Sequence, residues 1–304
     1  MTSLRGVWSI VATPFTPDGE VDYESIETQI HELAAGGCHG VILFGYAGEF
    51  YKLTDGERGE IFRVSATAAD DADVPLMASI TAQSTKVAVD RAKAAVHTGV
   101  DGLMLLPPFV TNPSDAGVRE HIEAVGRAVS VPVLVQYAPD NTGVPVSPDT
   151  FADISELVPN VDSYKIECTP PGGYISDLLE RTDGDVDVLV GSAGQWMLDV
   201  FDRGAVGVIP GGGLHEHYLQ IHDHLSSGEM ELATELHSEL VPLLNHIGQS
   251  MEMFIHYEKR MLADRGLIEH PHCRAPAFSP DPYYDRVFER LYEPLRDQYA
   301  AGDT

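Results

Sequence analysis

The sequence is poor in cysteine, in long apolar runs and in basic residues, and each shortage excludes a class of protein. Its three cysteines, Cys38, Cys168 and Cys273, are too few and too widely spaced for a disulfide framework or a CxxC zinc site. No apolar run reaches the roughly 18 residues that a membrane span requires. The N-terminus lacks the basic region and long apolar core of an export signal. We therefore expect a cytoplasmic protein that does not associate with a membrane.

The shortage of basic residues leaves a strongly acidic chain. Lysine and arginine together number 19 against 47 aspartates and glutamates, which gives a net charge of −28 at pH 7 in 304 residues. Such a charge repels nucleic acid and anionic membranes, so neither is expected as a partner. The excess is spread over the whole chain and is typical of halophilic proteins, in which salt screens the self-repulsion. A mildly acidic protein from an ordinary environment is the alternative.

Eight short apolar runs alternate with helical stretches along most of the chain. The runs are 7–13, 40–44, 75–80, 101–106, 131–136, 161–166, 186–190 and 205–209. The helical stretches are 22–35, 54–70, 84–98, 114–129, 147–158, 172–182, 193–203 and 213–225. Five of them begin at a residue suited to capping a helix: Asp22, Thr54, Ser84, Ser114 and Ser147.

This alternation predicts an α/β protein with a parallel sheet covered by helices, and eight strands are the number that closes a (β/α)8 TIM barrel. An open doubly wound sheet is the alternative. It would normally carry a glycine-rich phosphate loop after the first strand, and the segment TPFTPDGE is not such a loop.

After about residue 226 the pattern becomes helical, at 228–265 and 283–299, with the loop HPHCRAPAFSPDP between. We expect residues 1–225 to form the barrel and residues 226–304 to form an extra C-terminal helical layer packed on it, in one structural domain. The spacing of His270, His272 and Cys273 in this loop fits no zinc pattern, so no metal is expected.

Catalytic groups of such barrels lie at the C-terminal ends of the strands. Lys165 stands out there, because a lysine inside the apolar strand VDSYKI costs desolvation free energy. Burial also lowers the pKa of an amine, which makes a free nucleophile available near neutral pH. A lysine whose side chain reaches water at the strand end is the alternative.

Glu167 favours the catalytic interpretation. Residues i and i+2 of a strand point to the same face, so Lys165 and Glu167 can serve one pocket. A carboxylate beside an iminium ion can act as acid and base on the neighbouring carbon. Gln136 ends the adjacent strand and could hold a water or a substrate hydroxyl. A simple ion pair between Lys165 and Glu167 is the alternative.

These residues lie in a sequence that resembles the dihydrodipicolinate synthase/N-acetylneuraminate lyase superfamily of Schiff-base aldolases and dehydratases. The resemblance runs from about residue 5 to at least residue 225, through VATPFTPDGEVDYES, AAGGCHGVILFGYAGEFYKLTDGER, DGLMLLPPFV, VPVLVQYAPDNTG and the lysine strand. It implies a TIM barrel without a bound cofactor, a Schiff base between Lys165 and a small 2-keto acid, and a homotetramer.

The chain departs from the lysine-pathway synthases of this superfamily at several positions. Tyr46 and Ala47 stand where two hydroxyl residues are expected, and Gln136 stands at the position of the proton-shuttling tyrosine. Asn141 replaces a carboxylate-gripping arginine, and Val110 replaces an interface tyrosine. The tyrosine relay of the synthases is therefore missing.

The stretch Gln136-x-Ala138-Pro139, followed by Lys165-x-Glu167, is instead similar to the 2-keto-3-deoxy sugar-acid dehydratases of pentose breakdown. This likeness implies conversion of 2-keto-3-deoxy-L-arabinonate, or its D-xylonate-derived equivalent, to 2-oxoglutarate semialdehyde. Lys165, Glu167 and Gln136 would be catalytic. The expected substrate-binding residues are Gly45, Tyr46, Ala47, Gly48, Tyr137, Gly191 and Ile209.

Two other functions stay open. One is an aldolase that releases pyruvate from a 2-keto-3-deoxy acid, or a related lyase such as a dihydrodipicolinate synthase-like enzyme. Cleavage would need a base near the C4 hydroxyl, and Tyr137 could serve only if the strand register were shifted by one residue. The other is a non-catalytic binding barrel, which would form no adduct on Lys165.

Overall fold

The computed structural model describes residues 4–300, in which eight parallel strands close a barrel. The strands are β1 (Gly6–Ile10), β2 (Gly40–Leu43), β3 (Leu76–Ser79), β4 (Gly102–Leu105), β5 (Val133–Tyr137), β6 (Ser163–Ile166), β7 (Asp187–Val190) and β8 (Gly207–Val208). Each strand pairs with the next along the chain, and β8 pairs with β1. The (β/α)8 prediction is confirmed, and the open doubly wound sheet is excluded.

A helix follows every strand. Short 3₁₀ turns precede the helices after β2 and β7, and two helices follow β5. The barrel helices are α1 (Tyr23–Ala35), α2 (Asp55–Asp71), α3 (Thr85–His97), α4 (Asp115–Arg127), α5 (Pro139–Thr142), α6 (Pro148–Leu157), α7 (Pro171–Arg181), α8 (Met197–Asp202) and α9 (His215–Ser226). The stretch expected at 193–203 differs most, because a 3₁₀ turn at Ser192–Gly194 delays the helix until Met197.

All five predicted residues stand at the N-cap position of a helix, and four of them also cap it through a side-chain hydrogen bond. The Asp22, Ser114 and Ser147 side chains each accept a hydrogen bond from an N–H of the first helical turn. Thr54 forms a complete capping box with Glu57. Ser84 also stands at the predicted N-cap position, before α3, but its side chain makes no capping hydrogen bond and lines a surface cavity.

The C-terminal layer consists of α10 (Met230–Ile247), α11 (Met251–Asp264) and α12 (Pro282–Ala300). The predicted stretch 228–265 is two helices, because the Ser250 hydroxyl caps α11 by accepting from the N–H of Met253. Helix α10 packs on α8, α9 and α12, and α11 packs on the turn that follows β2. The grouping of residues 1–225 and 226–304 into one structural domain stays a prediction. Within residues 4–300, no helix combines the length and the apolar character needed to cross a membrane.

The alternation of side chains along each strand separates two apolar layers. Trp8, Met77, Met104 and Leu134 belong to the group that fills the barrel interior. The opposite faces of the strands pack against the helices. On β6 this puts the Tyr164 hydroxyl in the outer layer, where it donates to the backbone oxygen of Phe151 at 2.8 Å. Lys165 consequently points inward.

Candidate active site

Three side chains predicted to be catalytic meet at the C-terminal ends of β5 and β6. Gln136 and Lys165 are paired across these strands, so their side chains share the inner face. The Lys165 Nζ lies 3.1 Å from the Glu167 Oε1, and the Gln136 Nε2 donates to the Glu167 Oε2. Lys165 is 6% exposed and Gln136 is 3% exposed. The lysine therefore lies in a buried, polar-lined position next to a carboxylate and does not extend into bulk water.

A main-chain donor completes the surroundings of the Glu167 carboxylate. The backbone N–H of Ser192 donates to the Glu167 Oε1 at 3.0 Å. This geometry depends on a turn in which Ser192 and Ala193 both have a positive φ, 48° and 51°. Left-handed backbone costs a non-glycine residue roughly 1–2 kcal/mol, and such strain concentrates at functional sites.

Gly191, which was predicted to bind substrate, lies against the Glu167 side chain and not in the cavity wall. A Cβ on Gly191 would lie well inside van der Waals contact with the Glu167 carboxylate. Its backbone, with φ −96° and ψ −140°, lies outside the regions that non-glycine residues favour, so the glycine is required for conformation as well as for space. Gly191 makes room for the Glu167 carboxylate and does not itself line the cavity.

Of the four predicted substrate-binding residues in the turn after β2, two line the cavity and two do not. Tyr46 and Ala47 line the cavity. The N–H of Gly48 donates to the backbone oxygen of Gly45 at 2.9 Å, so it is satisfied within the turn. A Cβ on Gly45 would lie 2.8 Å from the Ile10 side chain. Gly45 and Gly48 thus shape the turn and do not contact the cavity, contrary to the prediction.

Tyr137, which was predicted to bind substrate, lies outside the cavity that Lys165 lines. Tyr137 follows Gln136 on β5 and therefore faces the helices, where its ring stacks on Tyr174 at 4.4 Å between centroids. It also makes an edge contact with Phe151. Burial raises the pKa of the Tyr137 hydroxyl above its usual value. No tyrosine of β5 faces the reacting centre.

The cavity above Lys165 has a volume of about 320 Å³ and is closed by parts of the chain that the motifs did not indicate. Ile10 and Ile209 form its apolar floor, and Ile209 was predicted there. The following residues were missed: Asp140, Asn141, Thr169, Gln195, Trp196, Leu244, Gly248, Gln249, Ser250, Met251 and Phe254. Six of these eleven belong to α10, α11 or the turn between them, so the C-terminal layer forms one wall of the cavity.

The side chains that line the cavity carry more negative than positive charge. Lys165 is the one cationic side chain that lines it within residues 4–300, whereas Glu167 and Asp140 contribute carboxylates. Asn141 stands among the lining residues as a neutral amide. Desolvation by burial, reinforced by the nearby Glu167 carboxylate, raises the pKa of Tyr46 to about 12. The Tyr46 hydroxyl therefore stays protonated and can donate a hydrogen bond into the cavity.

No group of three or more histidine, cysteine or acidic side chains within residues 4–300 is placed to hold a metal ion. In the loop after α11, the backbone oxygen of His272 accepts a hydrogen bond from the Lys259 Nζ at 2.9 Å. This segment supports the turn after β2 through Lys259 and Lys52.

Comparison with known proteins agrees with the fold. The Dihydrodipicolinate synthetase family model matches residues 3–290. The chain is 30% identical to the 4-hydroxy-tetrahydrodipicolinate synthase of Haloarcula marismortui, in an alignment that covers 100% of both proteins. It is 29% identical to the synthase of Methanococcus maripaludis strain C6, over 79% of this chain and 82% of the relative.

A solved structure shows the same fold. The dihydrodipicolinate synthase of Aquifex aeolicus superposes with a TM-score of 0.90 at 24% identity, covering 96% of this chain and 98% of that one. The family match over nearly the whole chain, the closed barrel and the buried Lys165 agree with one another. The chain belongs to the dihydrodipicolinate synthetase family, whose members are lyases that act through a Schiff base.

Proposed function

We propose that this protein dehydrates a 2-keto-3-deoxy pentonate to 2-oxoglutarate semialdehyde through a Schiff base on Lys165. The observation that carries the proposal is the arrangement of Glu167, whose carboxylate contacts both the Lys165 amine and the Gln136 amide. The inner face of β5 presents an amide at this point, while the tyrosine hydroxyl of the same strand lies in the outer layer. The acid and base nearest the lysine is thus a carboxylate.

The chemistry follows from these contacts. The Lys165 amine adds to the C2 ketone and, with one proton taken up, releases water to give an iminium ion, which acidifies the C3 hydrogens. Glu167 removes one of them, directly or through a water held by Gln136, to give an enamine. The enamine expels the C4 hydroxyl, which takes the proton from Glu167 and leaves as water.

The remaining steps need no further reagent. A proton moves from C5 to C3, the resulting C5 enol becomes an aldehyde, and hydrolysis of the iminium frees Lys165. The hydrogen bond from the Ser192 N–H to Glu167 persists throughout this sequence, so the carboxylate keeps its orientation when Lys165 is covalently occupied.

The substrate carboxylate would lie against the turn after β2. Tyr46 and Ala47 line the cavity there, and their backbone N–H groups are the ones the turn leaves for an anion, since that of Gly48 is satisfied internally. At the far end, Asp140 and Asn141 present hydrogen-bonding groups to hydroxyls. A second carboxylate or a phosphate would find no guanidinium or histidine among the described lining residues.

A second candidate is 4-hydroxy-tetrahydrodipicolinate synthesis, which the full-length 30% identity to the Haloarcula marismortui synthase favours. That activity would condense pyruvate, held on Lys165, with an amino-acid aldehyde that carries its own carboxylate. The cavity has an exposed amide, Asn141, in place of an arginine and has the carboxylate of Asp140 beside it. Electrostatics of this kind disfavours a second anionic substrate.

One assay separates these functions. The protein is incubated with 2-keto-3-deoxy-L-arabinonate and with its D-xylonate-derived isomer, and both 2-oxoglutarate semialdehyde and pyruvate are quantified. Semialdehyde is the product expected from dehydration, whereas pyruvate would indicate aldol cleavage. A parallel reaction with pyruvate and L-aspartate semialdehyde tests the synthase.

A matched pair of variants ties the assay to the site. Glu167→Gln keeps an acceptor for the Ser192 N–H but removes the base, and we expect turnover to fall by about 10²–10⁴-fold. Glu156→Gln, at an exposed glutamate of α6, serves as the control and should match the unmodified protein. Semialdehyde formation that survives Glu167→Gln would contradict the proposed role of this carboxylate.

A further inference from the structure

A second buried carboxylate lies directly behind the cavity wall opposite β5 and β6. Glu258 of α11 is 4% exposed and lies against three consecutive glycines that follow β8. The N–H of Gly213 donates to the Glu258 Oε1 at 2.7 Å, and the N–H of Gly212 also faces this carboxylate. A Cβ on Gly211 would overlap the Glu258 carboxyl group. The glycines therefore allow this carboxylate to approach the backbone closely.

The backbone that Glu258 holds continues into the wall of the active site. Pro210 and Gly211 line the cavity beside Ile209. On the other side, the N–H of Ile10 donates to the Pro210 oxygen at 2.9 Å. The segment is thus fixed to β1 at one end and to Glu258 at the other. A displacement of Gly212 and Gly213 would therefore also displace Gly211 and Pro210, which line the cavity.

Other side chains bind the remaining polar groups of these glycines. The Arg265 guanidinium donates to the Gly213 oxygen at 2.6 Å and pairs with Glu216. The His215 Nδ1 lies 2.9 Å from the Gly212 oxygen. Tyr218 of α9 and Tyr292 of α12 also face Glu258, and its charge contributes to raising the pKa of both hydroxyls. Within residues 4–300, Arg265 is the one permanent cation whose charge acts on Glu258.

We propose that Glu258 is a positioning residue, which in its ionised form holds the Gly211–Gly213 segment against α11 and so tightens binding of 2-keto acids above Lys165. The ionised carboxylate can accept from both N–H groups, and such charge-assisted bonds are stronger than neutral ones. The protonated form offers one fewer good acceptor and loosens the segment. Glu258 does not touch the substrate and acts only through this wall.

The charge state of Glu258 changes in an accessible pH range. Desolvation by complete burial raises its pKa to about 7, against the opposing influence of the Gly213 N–H and of Arg265. The carboxylate is therefore ionised above this pH and neutral below it. Tight ligand binding should accordingly be present at high pH and decline as the pH falls through about 7.

The test compares pyruvate binding by the unmodified protein and by Glu258→Gln, measured by calorimetry from pH 5.5 to 8.5 at constant high salt. The variant keeps one acceptor for Gly213 but cannot ionise. We expect its Kd to be roughly 3- to 10-fold higher than that of the unmodified protein at pH 8.5, and the ratio to approach one at pH 5.5. Protonation of Lys165 affects both proteins alike and cancels in the ratio. Glu252→Gln, at an exposed glutamate of the same helix, is the control.

A ratio that stays constant with pH, or that equals one throughout, would overturn the inference. Because this inference rests on the proposed Schiff-base site, borohydride trapping with pyruvate accompanies each titration. Failure of the unmodified protein to form any adduct overturns the proposed function and this inference together. Adduct formation with a pH-independent ratio overturns this inference alone.

A second measurement needs no variant and no ligand. In protein labelled with ¹⁵N-glycine, the amide signals of Gly212 and Gly213 should shift with a midpoint near pH 7, because their acceptor changes charge. The positioning role is supported if the ratio of the two Kd values changes with pH as expected and these amide signals also shift. The absence of any glycine amide titrating in this range would overturn it even if Glu258→Gln failed to fold.

Discussion

At the scale of single residues, the reactivity of the site depends on how the Glu167 carboxylate is held. Donors reach it from three directions: the Lys165 amine, the Gln136 amide and the Ser192 backbone. Two of the three remain after Lys165 is converted to an imine. The carboxylate is thus oriented by groups that take no covalent part in the reaction, as preorganised catalysis requires.

Gly191→Ala tests this orientation without altering a charged group. The added methyl would overlap the Glu167 carboxyl group and displace it from Lys165 and Ser192. We expect turnover to fall by about 10²-fold, since small misplacements of a catalytic group cost this much, while borohydride still traps the adduct. Gly173→Ala, at a glycine with open space around its Cβ position, is the matched control. Normal turnover in Gly191→Ala would show that the position of Glu167 is unimportant.

Tyr137→Phe distinguishes a carboxylate mechanism from a tyrosine relay. The Tyr137 ring packs between β5 and the helices, on Tyr174 and Phe151. The Tyr137 hydroxyl is hydrogen-bonded to the backbone of Val146. Loss of this hydroxyl should leave kcat within about twofold and lower the free energy of unfolding by about 1 kcal/mol, the usual net value of one hydrogen bond. Steady-state kinetics and urea unfolding measure the two effects. A drop in kcat comparable to that of Glu167→Gln would mean that Tyr137 reaches the reacting centre.

At the scale of elements, a buried charge cluster joins the turn after β2 to α11. Glu49 and Lys259 are each 0% exposed and form an ion pair. Lys52 approaches the second oxygen of Glu49 at 2.8 Å. Desolvation lowers the pKa of Lys259, and the Glu49 charge opposes that shift. Since α11 and the turn after β2 both line the cavity, this cluster sets the distance between two walls of the site.

Lys259→Met should be strongly destabilising because it leaves the Glu49 carboxylate buried with one partner fewer. We expect a loss of about 3 kcal/mol in the free energy of unfolding, the lower end for a broken buried ion pair, because Lys52 remains. Adding Glu49→Gln should restore part of the loss, as interacting residues are not additive. Lys93→Met, at an exposed lysine of α3, should change stability by less than about 0.5 kcal/mol. Equal losses in the two lysine variants would contradict the role of the cluster.

The elements that periodicity controls could be predicted from the sequence, and those that tertiary docking controls could not. The eight strands follow from short apolar runs, and the shared face of Lys165 and Glu167 follows from the period of two along a strand. The placement of Ser250, Met251 and Phe254 over the cavity depends on how α11 docks, which no local pattern records. The contact between Ser192 and Glu167 could not be predicted for a different reason.

The Ser192 contact could not be predicted because its donor is a main-chain N–H in a left-handed turn formed by non-glycine residues. Such a turn has no residue signature, whereas glycine would have indicated it. Three consecutive glycines stand at positions 211–213 of the sequence. The glutamate that they accommodate lies 45 residues further on from Gly213 and could be found only in the folded chain.

At the scale of the whole molecule, the net charge of −28 is the dominant physical property. Self-repulsion among surface carboxylates opposes the compact state, and salt reduces it because the screening length falls from about 10 Å at 0.1 M to about 3 Å at 1 M. We propose that the protein is adapted to high salt. The homotetramer expected from the family resemblance stays a prediction, and light scattering in the same buffers tests it.

The salt proposal predicts that Tm rises by roughly 5–10 °C between 0.1 M and 2 M KCl, an increment that corresponds to a few kcal/mol for a chain of this size. Differential scanning calorimetry measures it, with sucrose of matched osmolality as the uncharged control. Screening should act mainly below about 1 M, where the Debye length changes most. A Tm independent of KCl, or one raised equally by sucrose, would contradict halophilic adaptation.

The measurement that tests the central claim most directly is the site of covalent trapping. The protein is incubated with pyruvate or a 2-keto-3-deoxy pentonate, reduced with borohydride, digested and analysed by mass spectrometry. The chain has five lysines, Lys52, Lys86, Lys93, Lys165 and Lys259, and the cavity geometry predicts that the adduct mass falls on Lys165 alone. Lys165→Arg should abolish it. An adduct on Lys259 or another lysine, or no adduct with any 2-keto acid, would contradict the account.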